Sequence, residues 1–216
     1  MKPLPECRLY AFVDLAYLEG RSPALVCQQL CDGGADLVQL RAKTLTTEAV
    51  LRLAERILPI TQAAEVGLVI NDHPALAVRI GADFCHLGQE DFFQAGFCQA
   101  AQVVPPSSRV RLGLSTHAPA EAERAVAAGA AYVAIGPIYP TATKPGARPV
   151  TLAYIRWAAA HLTLPWFAIG GIKRENLDVV LAAGARRVCV VSDLLTAPDL
   201  VKACQAYQER LASIRL

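Results

Sequence analysis

The chain has 216 residues, with 21 Lys and Arg against 19 Asp and Glu, a net charge of +2, and 54% hydrophobic residues. That length suits one large domain or two small ones, and no Ser-rich, Gly-rich or charge-run stretch divides it, so residues 1–216 read as a single domain. The charges are balanced and scattered, which excludes a broad nucleic-acid surface and points to small-molecule partners.

The chain opens MKPLPECRLYAFVD, where Pro3, Pro5, Glu6, Arg8 and Asp14 interrupt the apolar run that an export signal needs. Its 7 cysteines are odd in number, form no CxxC and mostly sit inside apolar runs, so a reduced, cytoplasmic setting is expected. Cys27 and Cys31 stand one helical turn apart, but no further Cys pair or His completes a zinc set. Residues 125–143 carry no charge, yet Gly129, Gly136, Pro137 and Pro140 would break a membrane-spanning helix.

Four segments repeat one cue: GGADLV (33–38), GADFCHL (81–87), GAAYVAI (129–135) and GARRVCVV (184–191). A glycine just past an Ala-rich or amphipathic segment caps a helix, and the apolar run after it is a buried parallel strand. Strands are predicted at 9–14, 37–42, 67–72, 84–88, 109–115, 132–137, 166–171 and 187–192, with helices between them. Eight alternations in a chain of this length favour an α/β fold of the (β/α)8 TIM-barrel type; an open doubly wound sheet is the alternative.

In a parallel barrel all strands deliver their C-terminal ends to one face, so the residues there are the candidates for chemistry. Along QLRAK, alternation puts Gln39, Arg41 and Lys43 on one face and Leu40 and Ala42 on the other. Two cations pointing together call for an anion, although an ion-pair cluster with Asp72 or Asp91 would also satisfy them. Asn71 and Asp72 end the third strand and Asp91 follows the fourth; two carboxylates over one opening suit magnesium, while helix capping is the plainer reading of each. Ser115, Thr116 and His117 end the fifth strand, and with no GxSxG elbow a hydrolytic Ser–His pair is not expected.

The segment 136–150, GPIYPTATKPGARPV, is a long proline-stiffened connection whose Thr141, Thr143 and Lys144 are its candidate working residues, unless it is an ordinary exposed loop. Gly171 ends the seventh strand, and Val191 and Ser192 follow the eighth, where such barrels often offer backbone N–H groups to a phosphate. His73, His86 and His161 read as structural.

Taken together, QLRAK, the ND of INDHP, HLGQED, LSTH, GPIYPTATK, AIGGI and the VVS of VVSDLL resemble the thiamine-phosphate synthase family, in order and spacing over almost the whole chain. That resemblance implies a transferase joining (4-amino-2-methylpyrimidin-5-yl)methyl diphosphate to a thiazole phosphate, with release of pyrophosphate. It implies that Gln39, Leu40, Arg41, Ala42, Lys43, Asn71, Ser115 and Lys144 hold the pyrimidine diphosphate, and that Asp72 and Asp91 hold Mg2+. Thr141, Ala142, Thr143, Gly171, Val191 and Ser192 would hold the thiazole phosphate, with Arg41, Lys43, Ser115 and Lys144 as the catalytic group. The chain departs from the family pattern at Val13, where Thr is frequent, at Thr151, where glycine is common, and in a longer connection between Asp91 and Ser115. A thiazole tautomerase and a non-catalytic phosphate-binding barrel are the rival readings.

Overall fold

In a computed structural model that describes residues 1–141, 146 and 148–214, eight parallel strands close into a barrel in sequence order. They are β1 (Leu9–Asp14), β2 (Leu37–Arg41), β3 (Gly67–Asn71), β4 (Phe84–Leu87), β5 (Arg111–Thr116), β6 (Tyr132–Ile135), β7 (Trp166–Ile169) and β8 (Val188–Val190). β8 pairs back onto β1, with Leu9 opposite Val188, so the sheet has no free edge. This is the (β/α)8 architecture, and the open-sheet alternative falls. Every predicted strand exists; most end one or two residues early, because the residues at their C-terminal ends leave the ladder to line the mouth.

Helices α1 (Pro23–Asp32), α2 (Thr47–Ala63), α3 (Pro74–Ile80), α4 (Pro119–Ala127), α5 (Thr151–His161), α6 (Arg174–Ala182), α7 (Ser192–Leu195) and α8 (Leu200–Ala212) cover the outside. Local chemistry sets several of their ends. Ser22 precedes Pro23 and accepts from the Leu25 N–H at 3.5 Å, Thr46 accepts from Ala49 N at 3.3 Å, and Asp199 accepts from Lys202 N at 3.0 Å. Gly81 ends α3 at φ +66°, a left-handed turn that glycine adopts without a Cβ penalty.

The Asp of the Gly-Ala-Asp cue has its own task at the bottom of the barrel. Asp36 accepts from Arg8 N at 2.7 Å and Leu9 N at 3.0 Å, and Asp83 accepts from Leu68 N at 2.9 Å. Each carboxylate ties the start of one strand to its neighbour, at the face that serves stability rather than chemistry.

Aromatic rings fill much of the barrel interior. Tyr10, Tyr132 and Phe167 meet edge-to-face with centroids 5.4 to 5.9 Å apart, and Phe84 joins Tyr132 at 5.7 Å. Gly113 makes room for them: a Cβ there would lie 2.1 Å from Tyr132 Cζ. All 7 cysteines are free, and all but Cys98 are buried. Thr151 sits at φ +63°, a left-handed conformation costly for a β-branched residue and free of that cost for glycine.

Candidate active site

The mouth at the C-terminal ends of the strands holds a cleft of about 490 Å3 opening into a smaller lobe of about 110 Å3, the two sharing Ser115, His117, Ala134, Ile169, Cys189 and Val191. The strand register builds the charged side. Asp14 lies opposite Arg41 in the β1–β2 ladder, and Arg41 Nη1 donates to Asp14 Oδ2 at 2.7 Å. The Asp14 side chain is only 2% exposed and also accepts from Ala16 N at 3.2 Å, so Arg41 is held by a fixed, nearly buried carboxylate.

Lys43 reaches across to the next loop, with Nζ 2.8 Å from Asp72 Oδ2. Asp72 itself stands at φ +62°, while its N–H continues the β3–β4 ladder by donating to the His86 carbonyl at 3.0 Å. Asp91 belongs to a single π-helical turn, Glu90–Gln94, and its Oδ2 accepts from Gly88 N at 3.3 Å. Neither carboxylate caps a helix: α3 is preceded by His73 without a side-chain bond, and the turn at Glu90 begins from Gln89. The ion-pair reading is realised in part, because Lys43 pairs with Asp72, whereas the partner of Arg41 is Asp14.

Gln39, Arg41, Lys43, Asn71, Asp72, Asp91 and Ser115 therefore line one cleft, and Thr141, Gly171, Val191 and Ser192 line the smaller lobe. The lobe has no Lys, Arg, Asp or Glu among its described lining residues. Leu40 and Ala42 are not brought into the mouth: they are 1% and 6% exposed on the opposite face of the strand and line neither space, leaving only their backbone for a ligand. Ala142, Thr143 and Lys144 lie outside the described residues.

The structure adds residues that sequence reading passed over. His86 was placed with the structural histidines, and it is buried and hydrogen-bonded, but its Nε2 lies 2.8 Å from Ser115 Oγ and its Nδ1 3.1 Å from Tyr132 OH on the cleft wall. Burial lowers its pKa to about 4, only partly countered by Asp72, so the ring is neutral at pH 7. Gln89 Nε2 donates to the Ser115 carbonyl at 2.6 Å, while its Oε1 accepts from Arg124 Nη2 at 2.7 Å. The available signal was a polar residue inside the buried alternation of β4, with Phe84 and His86 on one face.

Two cations, four carboxylates (Asp72, Glu90, Asp91 and Glu121) and an adjoining lobe without Lys, Arg, Asp or Glu, gathered at the C-terminal mouth of a parallel barrel, are the site of a (β/α)8 enzyme. A family model described as thiamine monophosphate synthase matches residues 9–194. The thiamine-phosphate synthase of Thermus thermophilus is 44% identical over 187 residues, covering 84% of this chain and 85% of that protein; the one from Lawsonia intracellularis is 35% identical, covering 94% and 92%. The solved thiamine phosphate pyrophosphorylase of Pyrococcus furiosus superposes with a TM-score of 0.85 at 25% identity, covering 97% and 98% of the two chains. The chain belongs to the thiamine monophosphate synthase family. Among the described residues no helix is long and apolar enough to cross a membrane.

Proposed function

We propose that this chain, acting as one catalytic unit over residues 1–216, condenses (4-amino-2-methylpyrimidin-5-yl)methyl diphosphate with a thiazole phosphate to give thiamine phosphate and pyrophosphate. The observation that carries this reading is the division of the mouth: the cations Arg41 and Lys43 and the carboxylates Asp72, Glu90, Asp91 and Glu121 line one space, and a lobe without Lys, Arg, Asp or Glu opens from it. The diphosphate half of one substrate suits the first space, and a neutral heterocycle with backbone-held phosphate suits the second.

The cofactor we assign is magnesium. Asp72 and Asp91 are hard oxygen donors on one cleft, and among the described residues no group of three or more His, Cys, Asp or Glu forms a complete metal set. Two carboxylates completed by substrate phosphates and water is how this ion is commonly held. Bound there, it would supply neutralisation of the leaving group's charge.

The electron-rich aminopyrimidine supports a benzylic-type cation, so the C–O bond breaks with its electron pair leaving on pyrophosphate, and the thiazole nitrogen lone pair then forms the C–N bond. That nitrogen carries no proton in the neutral ring, so no general base is needed. Arg41, held on Asp14, and Lys43 take up negative charge on the departing group. His86 stays neutral and does not repel the developing cation. By resemblance Lys144, Thr143 and Ala142 complete the two subsites. The free cysteines agree with a cytoplasmic setting.

The test is an assay of the purified chain with both substrates, with and without magnesium. Pyrophosphate release that needs both substrates and the metal is expected. Isomerisation of a thiazole carboxylate without metal, or binding without turnover, would overturn the reading.

A further inference from the structure

A chain of hydrogen bonds runs through the barrel interior from one side of the cleft to the other. Gln39 Nε2 donates to Tyr10 OH, Tyr10 OH lies 3.0 Å from Tyr132 OH, Tyr132 OH lies 3.1 Å from His86 Nδ1, and His86 Nε2 lies 2.8 Å from Ser115 Oγ. Both ends, Gln39 and Ser115, line the cleft. The two phenols are fully buried, and burial pushes both pKa values up, so each keeps its single proton.

One proton per hydroxyl fixes the direction of the whole chain. Tyr10 oxygen receives the Gln39 N–H, so its own proton goes to Tyr132 oxygen. If Tyr132 donated back to Tyr10 instead, the Tyr10 proton would have no acceptor among its described partners, and an unmet buried donor is costly. The Tyr132 proton therefore goes to His86 Nδ1. That nitrogen must be the acceptor of a neutral imidazole, which puts the ring proton on Nε2 and aims it at Ser115 Oγ. Ser115 receives, and its own proton is turned toward the cleft.

We propose that the interior chain Gln39–Tyr10–Tyr132–His86 is a polarity relay that fixes His86 as the Nε2–H tautomer and sets Ser115 as a hydrogen-bond donor, and Gln39 Oε1 as an acceptor, toward the substrate heterocycle. His86, Tyr10 and Tyr132 are positioning residues; Ser115 and Gln39 touch the ligand. This rests on the function proposed above for its substrate, and extends it: the ligand must offer an acceptor to Ser115 and a donor to Gln39, as a ring nitrogen and an exocyclic amine do. Gln39 is the switch, because turning its amide over would reverse every bond in the relay and leave Ser115 an acceptor.

The test reads the tautomer directly, in the full chain without substrate, by long-range 1H–15N correlation of 15N-histidine at neutral pH, with His86 assigned from the signals lost in His86→Gln. The Nε2–H form is expected, and the Nδ1–H form would overturn the relay. Gln39→Glu offers only acceptor oxygens when ionised, and should convert His86 to Nδ1–H; an unchanged tautomer in a folded, ionised variant would remove Gln39 as the switch. Should that variant fail to fold, Tyr132→Phe serves: it deletes the proton that holds Nδ1 as acceptor, so His86 should become a tautomer mixture, and kcat/KM for the pyrimidine diphosphate should fall about fivefold with the KM for the thiazole phosphate unchanged. A single Nε2–H form there, or equal losses for both substrates, would overturn the proposal. Because the tautomer is read without turnover, its failure is separate from a failure of the assigned reaction.

Discussion

Replacing Asp72 by glycine should separate function from stability. Asp72 occupies φ +62°, which costs a non-glycine residue about 1 kcal/mol at the low end for a short polar side chain. Glycine removes that strain but adds chain entropy to the unfolded state, about 0.5–1 kcal/mol in the opposite direction. The lost ion pair joins a Lys43 side chain 52% exposed to an Asp72 side chain 23% exposed, so solvent screening limits it to about 0.5 kcal/mol. The three effects leave folding within about 1 kcal/mol of the parent, a Tm change within roughly 4 °C for a chain of this size. Turnover at millimolar magnesium should nevertheless fall at least about a hundredfold if Asp72 is one of the two carboxylates that hold the metal, as proposed. Urea unfolding and pyrophosphate release measure the two quantities on the same sample. Asp72→Asn, which tolerates the left-handed backbone and keeps the volume, should lose activity equally. Destabilisation above about 2 kcal/mol would make Asp72 a structural residue, and retained turnover would take it out of the metal site.

Arg41→Ala should weaken diphosphate binding by about 1–3 kcal/mol, several-fold to a hundredfold, and strand the nearly buried Asp14 carboxylate; an unchanged KM for the pyrimidine diphosphate would put that group elsewhere. His86 has a folded pKa of about 4 against an ordinary 6.5, so above 6.5 it is neutral folded or unfolded and its contribution is complete. As pH falls from 6.5 to 4 the unfolded chain takes up a proton that the folded chain refuses, and stability drops by on the order of 3 kcal/mol. His86→Gln should lose that part of the acid slope in urea titrations between pH 7 and 4.5, and an identical slope refutes it. Gly113→Ala would place a methyl 2.1 Å from Tyr132 Cζ and should destabilise by about 2–3 kcal/mol; a neutral effect in thermal unfolding would mean that the aromatic interior repacks freely. Thr151→Gly should do the reverse: relief of left-handed strain, about 1–2 kcal/mol, outweighs glycine's entropy and raises Tm by roughly 2–4 °C, and a lower Tm would contradict the strain.

The barrel was legible because its signals are local. Glycine caps such as Gly81 and apolar runs such as Leu68–Ile70 are decided within a few residues, and their repetition counts the units. The strand ends were less legible. The run through Asp72 looks like continued strand, but the chain turns left-handed there, and a conformation forced by a mouth residue leaves no periodic trace. Leu40 and Ala42 show the opposite limit: a motif read as a block attributes ligand contact to five consecutive residues, although the pleat turns two of their side chains under the helices.

Partnerships between strands were not legible, and they decide the electrostatics of the mouth. Asp14 closes β1 in plain view, yet only the parallel register sets it opposite Arg41. Likewise His86 looks like one more polar residue in a buried run until the closing of the barrel brings Ser115 and Tyr132 to its two nitrogens. The consequence is that the cations differ in kind. Arg41 is braced by a carboxylate that is almost wholly buried and also tied to the backbone, so its guanidinium is held in a fixed position. Lys43 is half exposed and paired with Asp72, one of the carboxylates proposed to hold the metal, so a divalent cation on that carboxylate would free the ammonium for the diphosphate. Binding of metal and of substrate would then be coupled through one side chain, and Lys43→Met should lower diphosphate affinity more at saturating magnesium than in its absence. Equal losses at both limits would mean that Lys43 and the metal act independently.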